Sequence, residues 1–108
     1  MLTKRNDTAT EAILILAESL RIEQAEELRD AFVALLEGPQ PLVTLDLEAV
    51  ESVDLTFFQL ALALGKALEA KGRHLIVRTL RPDHPAAETG RLLGLPIAHH
   101  FTQVEASR

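Results

Sequence analysis

The chain predicts an α/β fold, a small and mainly parallel β-sheet covered by helices. Three observations lead there. Short apolar runs alternate with amphipathic stretches of helical spacing. The connections between them are short. The apolar content is largely aliphatic, with no Trp or Tyr and four Phe. Alternation through short connections favours parallel pairing with right-handed crossovers, and aliphatic side chains suit helices packed on a buried sheet.

The first element is the continuous apolar run Ala12-Ile13-Leu14-Ile15-Leu16-Ala17, which reads as a strand buried on both faces. Residues before Ala12 add a candidate edge strand. Ala25, Leu28, Phe32, Leu35 and Leu36 then recur at helical spacing between residues 23 and 37. The stretch Gly38-Pro39-Gln40-Pro41 ends that helix, because Gly accepts a left-handed turn and Pro cannot continue a helix. Residues 42–47, Leu-Val-Thr-Leu-Asp-Leu, form a second strand, and a short loop carrying Val50 and Val53 leads to Asp54.

From residue 56 to residue 71 the chain reads as a helix again, with Phe57, Leu60, Ala61, Leu64 and Leu68 as its apolar stripe and Gly72 closing it. Residues 74–78 are a third strand. Asp83 or His84 caps a last helix that starts at Pro85 and ends near Gly94-Leu95-Pro96, and residues 97–101 add a short terminal strand. No repeat or linker divides the 108 residues, so one domain over 1–108 is expected.

Composition excludes several functions. A net charge of −5 disfavours nucleic acid or an anionic membrane as partner, and the scarcity of aromatic rings leaves no base-stacking platform. Cysteine is absent, which removes disulfides, thiolate catalysis and cysteine-ligated zinc. Apolar runs such as Leu60 to Leu64 are far too short to span a bilayer, and the first residues lead into no secretory stretch. A cytoplasmic protein is the expectation.

In open α/β sheets function gathers where strands end and helices begin, and the segment Val50 to Gln59 lies there. Asp54 stands where it can cap a helix and meet the positive end of its dipole. It is thus a plain N-cap or part of a contact surface. Thr56 places a hydroxyl in the first turn, either capping or facing solvent. Phe57 and Phe58 point about 100° apart on a helix, so Phe57 is expected in the core and Phe58 at an exposed apolar contact.

At this segment the chain resembles the STAS family, the sulphate transporter and anti-sigma factor antagonist domains, over nearly its whole length. Leu42 to Asp54 is similar to the family's strand ending Leu-Asp-Leu and the following loop ending Val-Asp. Lys71-Gly72-Arg73-His74-Leu75-Ile76-Val77 resembles the family's Lys-Gly passage into the next strand, and Leu92-Leu93-Gly94-Leu95 its closing helix end. The resemblance implies a regulatory signature of Asp, a phosphorylatable Ser or Thr, a small residue and Gly. Here Asp54 matches, Leu55 replaces the acceptor, Thr56 takes the small position and Phe57 replaces Gly.

Thr56 is therefore the remaining candidate phosphoacceptor, where helix amides would stabilise added charge. Phe58-Gln59-Leu60 is similar to a chemotaxis-type subgroup of the family.

What the resemblance implies is a non-enzymatic binding module whose contact is centred on Asp54, Leu55, Thr56, Phe58 and Gln59. Its partner would be an anti-sigma factor of the serine-kinase type or a sensor-kinase-associated protein. The alternative is an accessory subunit that braces the ATPase of a lipid-transport system. No cofactor is expected. The adjacent His99 and His100 would point to opposite faces of a strand, and with His74 and His84 they suit a shared metal poorly. Asp46, Glu48, Glu51 and Asp54 suggest a solvated acidic rim at the strand ends more than a catalytic carboxylate pair, because no phosphate loop or nucleophile elbow accompanies them.

Overall fold

A computed structural model of the chain describes residues 2–79, 88–89 and 101–103. Strands β1 (Leu2–Asp7), β2 (Glu11–Leu20), β3 (Leu42–Val53), β4 (His74–Thr79) and β5 (Phe101–Gln103) form one sheet in the order β1-β2-β3-β4-β5. β1 joins β2 antiparallel, and the pairs from β2 to β5 are parallel. Helix α1 (Ala25–Leu36), entered through a 3-10 turn at Ile22–Gln24, connects β2 to β3. Helix α2 (Leu55–Glu69) connects β3 to β4, and the two helices pack against each other. The expected α/β architecture is present, with the candidate edge strand realised as β1.

Thr8 makes the β1–β2 hairpin. Its hydroxyl accepts from the Glu11 and Thr10 amides at 3.0 and 3.3 Å, while its own amide donates to the Glu11 carbonyl at 2.8 Å. The outer strand carries Lys4, Arg5 and Asp7, all exposed, and such charge on an edge discourages pairing with other chains.

β2 departs from the expectation of burial on both faces. Ala12, Leu14, Leu16 and Leu20 are buried, whereas Ile13, Ile15 and Ala17 are half-buried. The buried set alternates because α1 and α2 cover one face of the sheet, where Leu28, Phe32, Leu35, Ala61, Leu64 and Leu68 meet Val43, Leu45, Leu47 and Val77.

β3 corrects the expected loop over residues 48–53, since it runs unbroken to Val53. Glu11 pairs with Leu42 and Ile15 with Asp46, but Ala17 pairs with Ala49 and Ser19 with Ser52. β3 has therefore gained a residue on β2 twice. Each bulge reverses which side chains face the core. The buried series Val43, Leu45, Leu47 accordingly continues as Val50 and Val53 rather than in steps of two. Opposite the bulges, Glu18 adopts φ 68°, a left-handed conformation.

The two helix ends differ: Gly38, after α1, lacks the left-handed conformation expected of it, whereas α2 closes on one. Gly72, at φ 71°, follows α2. Its amide donates to the Glu69 carbonyl and that of Arg73 to the Leu68 carbonyl, both at 2.9 Å, which is a Schellman closure. Glu88 and Thr89 are helical, and β5 begins at the last residue of the terminal strand expected over 97–101. The rest of the expected last helix and residues 97–100 lie outside the described residues.

Candidate docking site

Asp54 is the hinge of the site. It ends β3 in an extended conformation and serves as N-cap of α2, with one carboxylate oxygen accepting from the Thr56 amide at 3.0 Å. The other oxygen accepts from the Ile22 amide, also at 3.0 Å. One carboxylate thus holds the start of α2 and the 3-10 turn that leads into α1, and the dipole of α2 favours its charge. The N-cap reading is correct, and a second helix entry, 32 residues earlier in the chain, shares the cap.

The loss of two caps sets the expected effect of Asp54→Ala. At about 1 kcal/mol per cap, the variant should lose about 2 kcal/mol of stability in urea unfolding. Asp54→Asn keeps one acceptor oxygen and should lose about half as much. Equal losses for the two variants would show that only one of the caps matters.

Around Asp54 the site residues divide. Leu55 is 44% exposed and Gln59 is exposed, while Thr56 is half-buried. Phe58 does not join them. It is 1% exposed, its ring 5.2 Å from that of Phe57 in an edge-to-face arrangement at 73°. The expectation of an exposed contact at Phe58 is therefore corrected. α2 packs on the sheet and also on α1, so its buried face is wide enough to take both rings.

Two exposed apolar residues complete the surface. Ile22, 64% exposed, stands across Asp54 from Leu55, and Val33, 47% exposed, lies farther along α1. Neither belongs to the apolar pattern of its element: Ile22 follows the buried run of β2, and Val33 sits off the stripe of α1. An apolar residue off-stripe is the signal that marks them. Between the helix starts lies a cleft of about 390 Å³, lined by Ile22, Glu23, Glu26, Arg29, Thr56 and Gln59 among others.

The other candidate chemistry disperses. Asp46 and Glu48 lie within β3 rather than in a strand-end loop. Asp46 binds Arg78 on β4 at 3.0 Å and accepts from the Glu48 amide at 3.0 Å. Glu51 is exposed in the same strand, and Asp54 is engaged in capping. Among the described residues no three His, Cys, Asp or Glu side chains converge in a way that could hold a metal ion. His74 is exposed at the start of β4, and His84, His99 and His100 lie outside the described residues. Among the described residues no helix is long and apolar enough to cross a membrane.

The fold is similar to that of an anti-sigma factor antagonist from Mycobacterium paratuberculosis, at 19% identity and a TM-score of 0.82 over 95% of this chain and 86% of that one. It is also similar to the anti-sigma factor antagonist SpoIIAA in its unphosphorylated form, at 16% identity and a TM-score of 0.77 over 98% and 90% of the two chains. A STAS domain protein from Planctomyces limnophilus aligns at 21% identity, a TM-score of 0.75 and 95% and 88% coverage. A search of curated proteins finds no match. The sequence model described as "Mlab, STAS domain" matches residues 4–95. The chain belongs to the STAS domain family.

Proposed function

We propose that the chain is a non-enzymatic docking module. It binds a regulatory protein of the anti-sigma-factor or sensor-kinase-associated type through the start of α2, without phosphate on residue 55. The observation that carries this reading is Leu55 itself. It stands where the family resemblance places the phosphoacceptor, and it is 44% exposed on the first turn of α2. An exposed leucine beside an exposed isoleucine favours apolar contact, and it has no hydroxyl to modify. Asp54 holds Ile22 and Leu55 in place, and Thr56 and Gln59 border the contact.

A second reading, also implied by the family resemblance, is favoured by the same lack of an acceptor hydroxyl at Leu55. On that reading the module is an accessory subunit bracing the ATPase of a lipid-transport system, a role for which a phosphate switch is unnecessary.

The test is an affinity pull-down from native lysate with the parent and Leu55→Asp chains, followed by calorimetry on the protein recovered. Leu55→Asp places a charge in a desolvated contact and should weaken binding by about 2 kcal/mol or more. Thr56→Ala should change it by less than about 0.5 kcal/mol, since the Asp54 cap accepts from the backbone amide of residue 56 and not from its hydroxyl. A kinase-like or an ATP-hydrolysing partner separates the two readings. Full affinity in Leu55→Asp would place the contact elsewhere.

A further inference from the structure

The cleft at the helix starts opens into a second hollow farther along the same two helices. This one encloses about 290 Å³, and Arg29 and Leu60 border both. Its walls are Val33 and Leu36 from α1 with Ala63 and Ala67 from α2, and almost all of its surface is apolar. Ala63 is exposed and Val33 nearly half so. The small alanines leave the furrow open on the α2 side, and it follows α1, whose 12 residues span about 18 Å.

Charge narrows what can lie there. Between Ile22 and Glu37 the chain carries Glu23, Glu26, Glu27, Asp30 and Glu37 against the single base Arg29. All five acids are exposed, and Glu23 and Glu26 line the cleft that continues the furrow. An apolar trough about two helical turns long, continued by a cleft with an acidic bank, is complementary to an amphipathic helix of opposite charge.

We infer that the furrow between α1 and α2 receives a basic amphipathic helix of the partner protein, whose apolar stripe lies along Val33, Leu60, Ala63 and Ala67 and whose lysines or arginines face the acids of α1. This rests on the docking reading above and extends its contact from the helix starts along the whole helix pair.

The direct probe is a synthetic peptide of about 18 residues, long enough to be helical. It is built of Leu, Ala and Lys with the leucines on one face, and its control carries Glu in place of Lys. Titrated into isotope-labelled chain, the Lys peptide should shift the amide resonances of Arg29, Val33, Ala63 and Ala67, and the Glu peptide should not. Val33→Gln, which removes apolar surface, and Ala63→Gln, which fills the trough, are both exposed and neutral. Each should weaken peptide binding at least about tenfold. Resonance shifts elsewhere, or equal binding of the two peptides, would overturn the inference.

The same variants tested on the lysate partner separate this inference from the docking reading. Loss with Leu55→Asp and none with Val33→Gln or Ala63→Gln would remove the furrow and leave the helix-start contact standing. Loss with the furrow variants and none with Leu55→Asp would do the reverse. A dimer of the free chain that Val33→Gln disperses would assign the furrow to a second copy and overturn the inference.

Discussion

Phe58→Asp is expected to unfold the protein rather than to weaken a contact. The ring is 1% exposed and packs edge-to-face on Phe57, which is fully buried. Removing such a ring costs about 3–5 kcal/mol, and the carboxyl group left in its place, even when neutralised by a proton, adds about 2–7 kcal/mol for a buried polar group without a partner. The total rivals the whole stability of a typical fold, about 5–15 kcal/mol. Circular dichroism should show a chain unfolded at room temperature, or one whose urea midpoint has fallen close to zero. Phe58→Leu keeps most of the apolar volume and should remain folded, at a cost of about 1–2 kcal/mol. A folded, cooperative Phe58→Asp would mean that the side chain can leave the core.

Arg73→Ala should produce the second large effect. The side chain is 7% exposed. Its guanidinium donates to the carbonyl of Gln40 at 2.6 Å and to those of Leu36 and Leu35 at 3.0 Å each. Its charge thus sits at the negative end of α1, where cations are stabilised. The Leu36 carbonyl would still receive Lys71 and the Leu35 carbonyl the Gly38 amide, whereas no other donor to the Gln40 carbonyl is seen among the described residues.

Hydrogen bonds to charged groups contribute about 1.5–3 kcal/mol each before such compensation. A net loss of about 3 kcal/mol in urea unfolding, with unchanged denaturant dependence, is the expected result. Arg73→Lys restores the charge without the planar fork and should recover less than half. A loss under about 1 kcal/mol for Arg73→Ala would show that water replaces the guanidinium freely.

Both effects come from residues whose roles were only partly readable in the sequence. The two helices and the β4 strand were readable because their patterns are local. Leu28, Phe32 and Leu35 fall on one face of a helix, and Gly72 stands where a helix must turn left-handed. The second half of β3 was not readable, since its two bulges turn a strand of alternating burial into an irregular series. Spacing alone makes Val50 and Val53 look like loop residues.

Phe58 misled for a related reason. A helix with one buried stripe should expose one of two adjacent rings, but α2 is covered by the sheet and by α1. Burial by a second neighbour widens the apolar arc of the helix, and a reading that assumes one narrow stripe leaves Phe58 outside it. Asp54 was placed correctly as a cap, while its second acceptor role depends on a backbone amide far away in the chain. Leu55 carried its meaning only through comparison with a family pattern. Its exposure, which makes it available for contact, came from the fold.

The sharing of Asp54 has a consequence for how the protein breathes. The amides of Ile22 and Thr56 sit at the mouths of different helices, yet each is protected by an oxygen of the same carboxylate. A rotation of that one side chain releases both amides at once. Their protons should therefore exchange with deuterated water in a single opening event, with nearly equal opening free energies and correlated loss on milder destabilisation. Farther along the pair, Arg73 holds the end of α1 from the residue that completes the closure of α2. The helices are thereby fastened at both extremities, and the middle of the furrow should open later than either end frays.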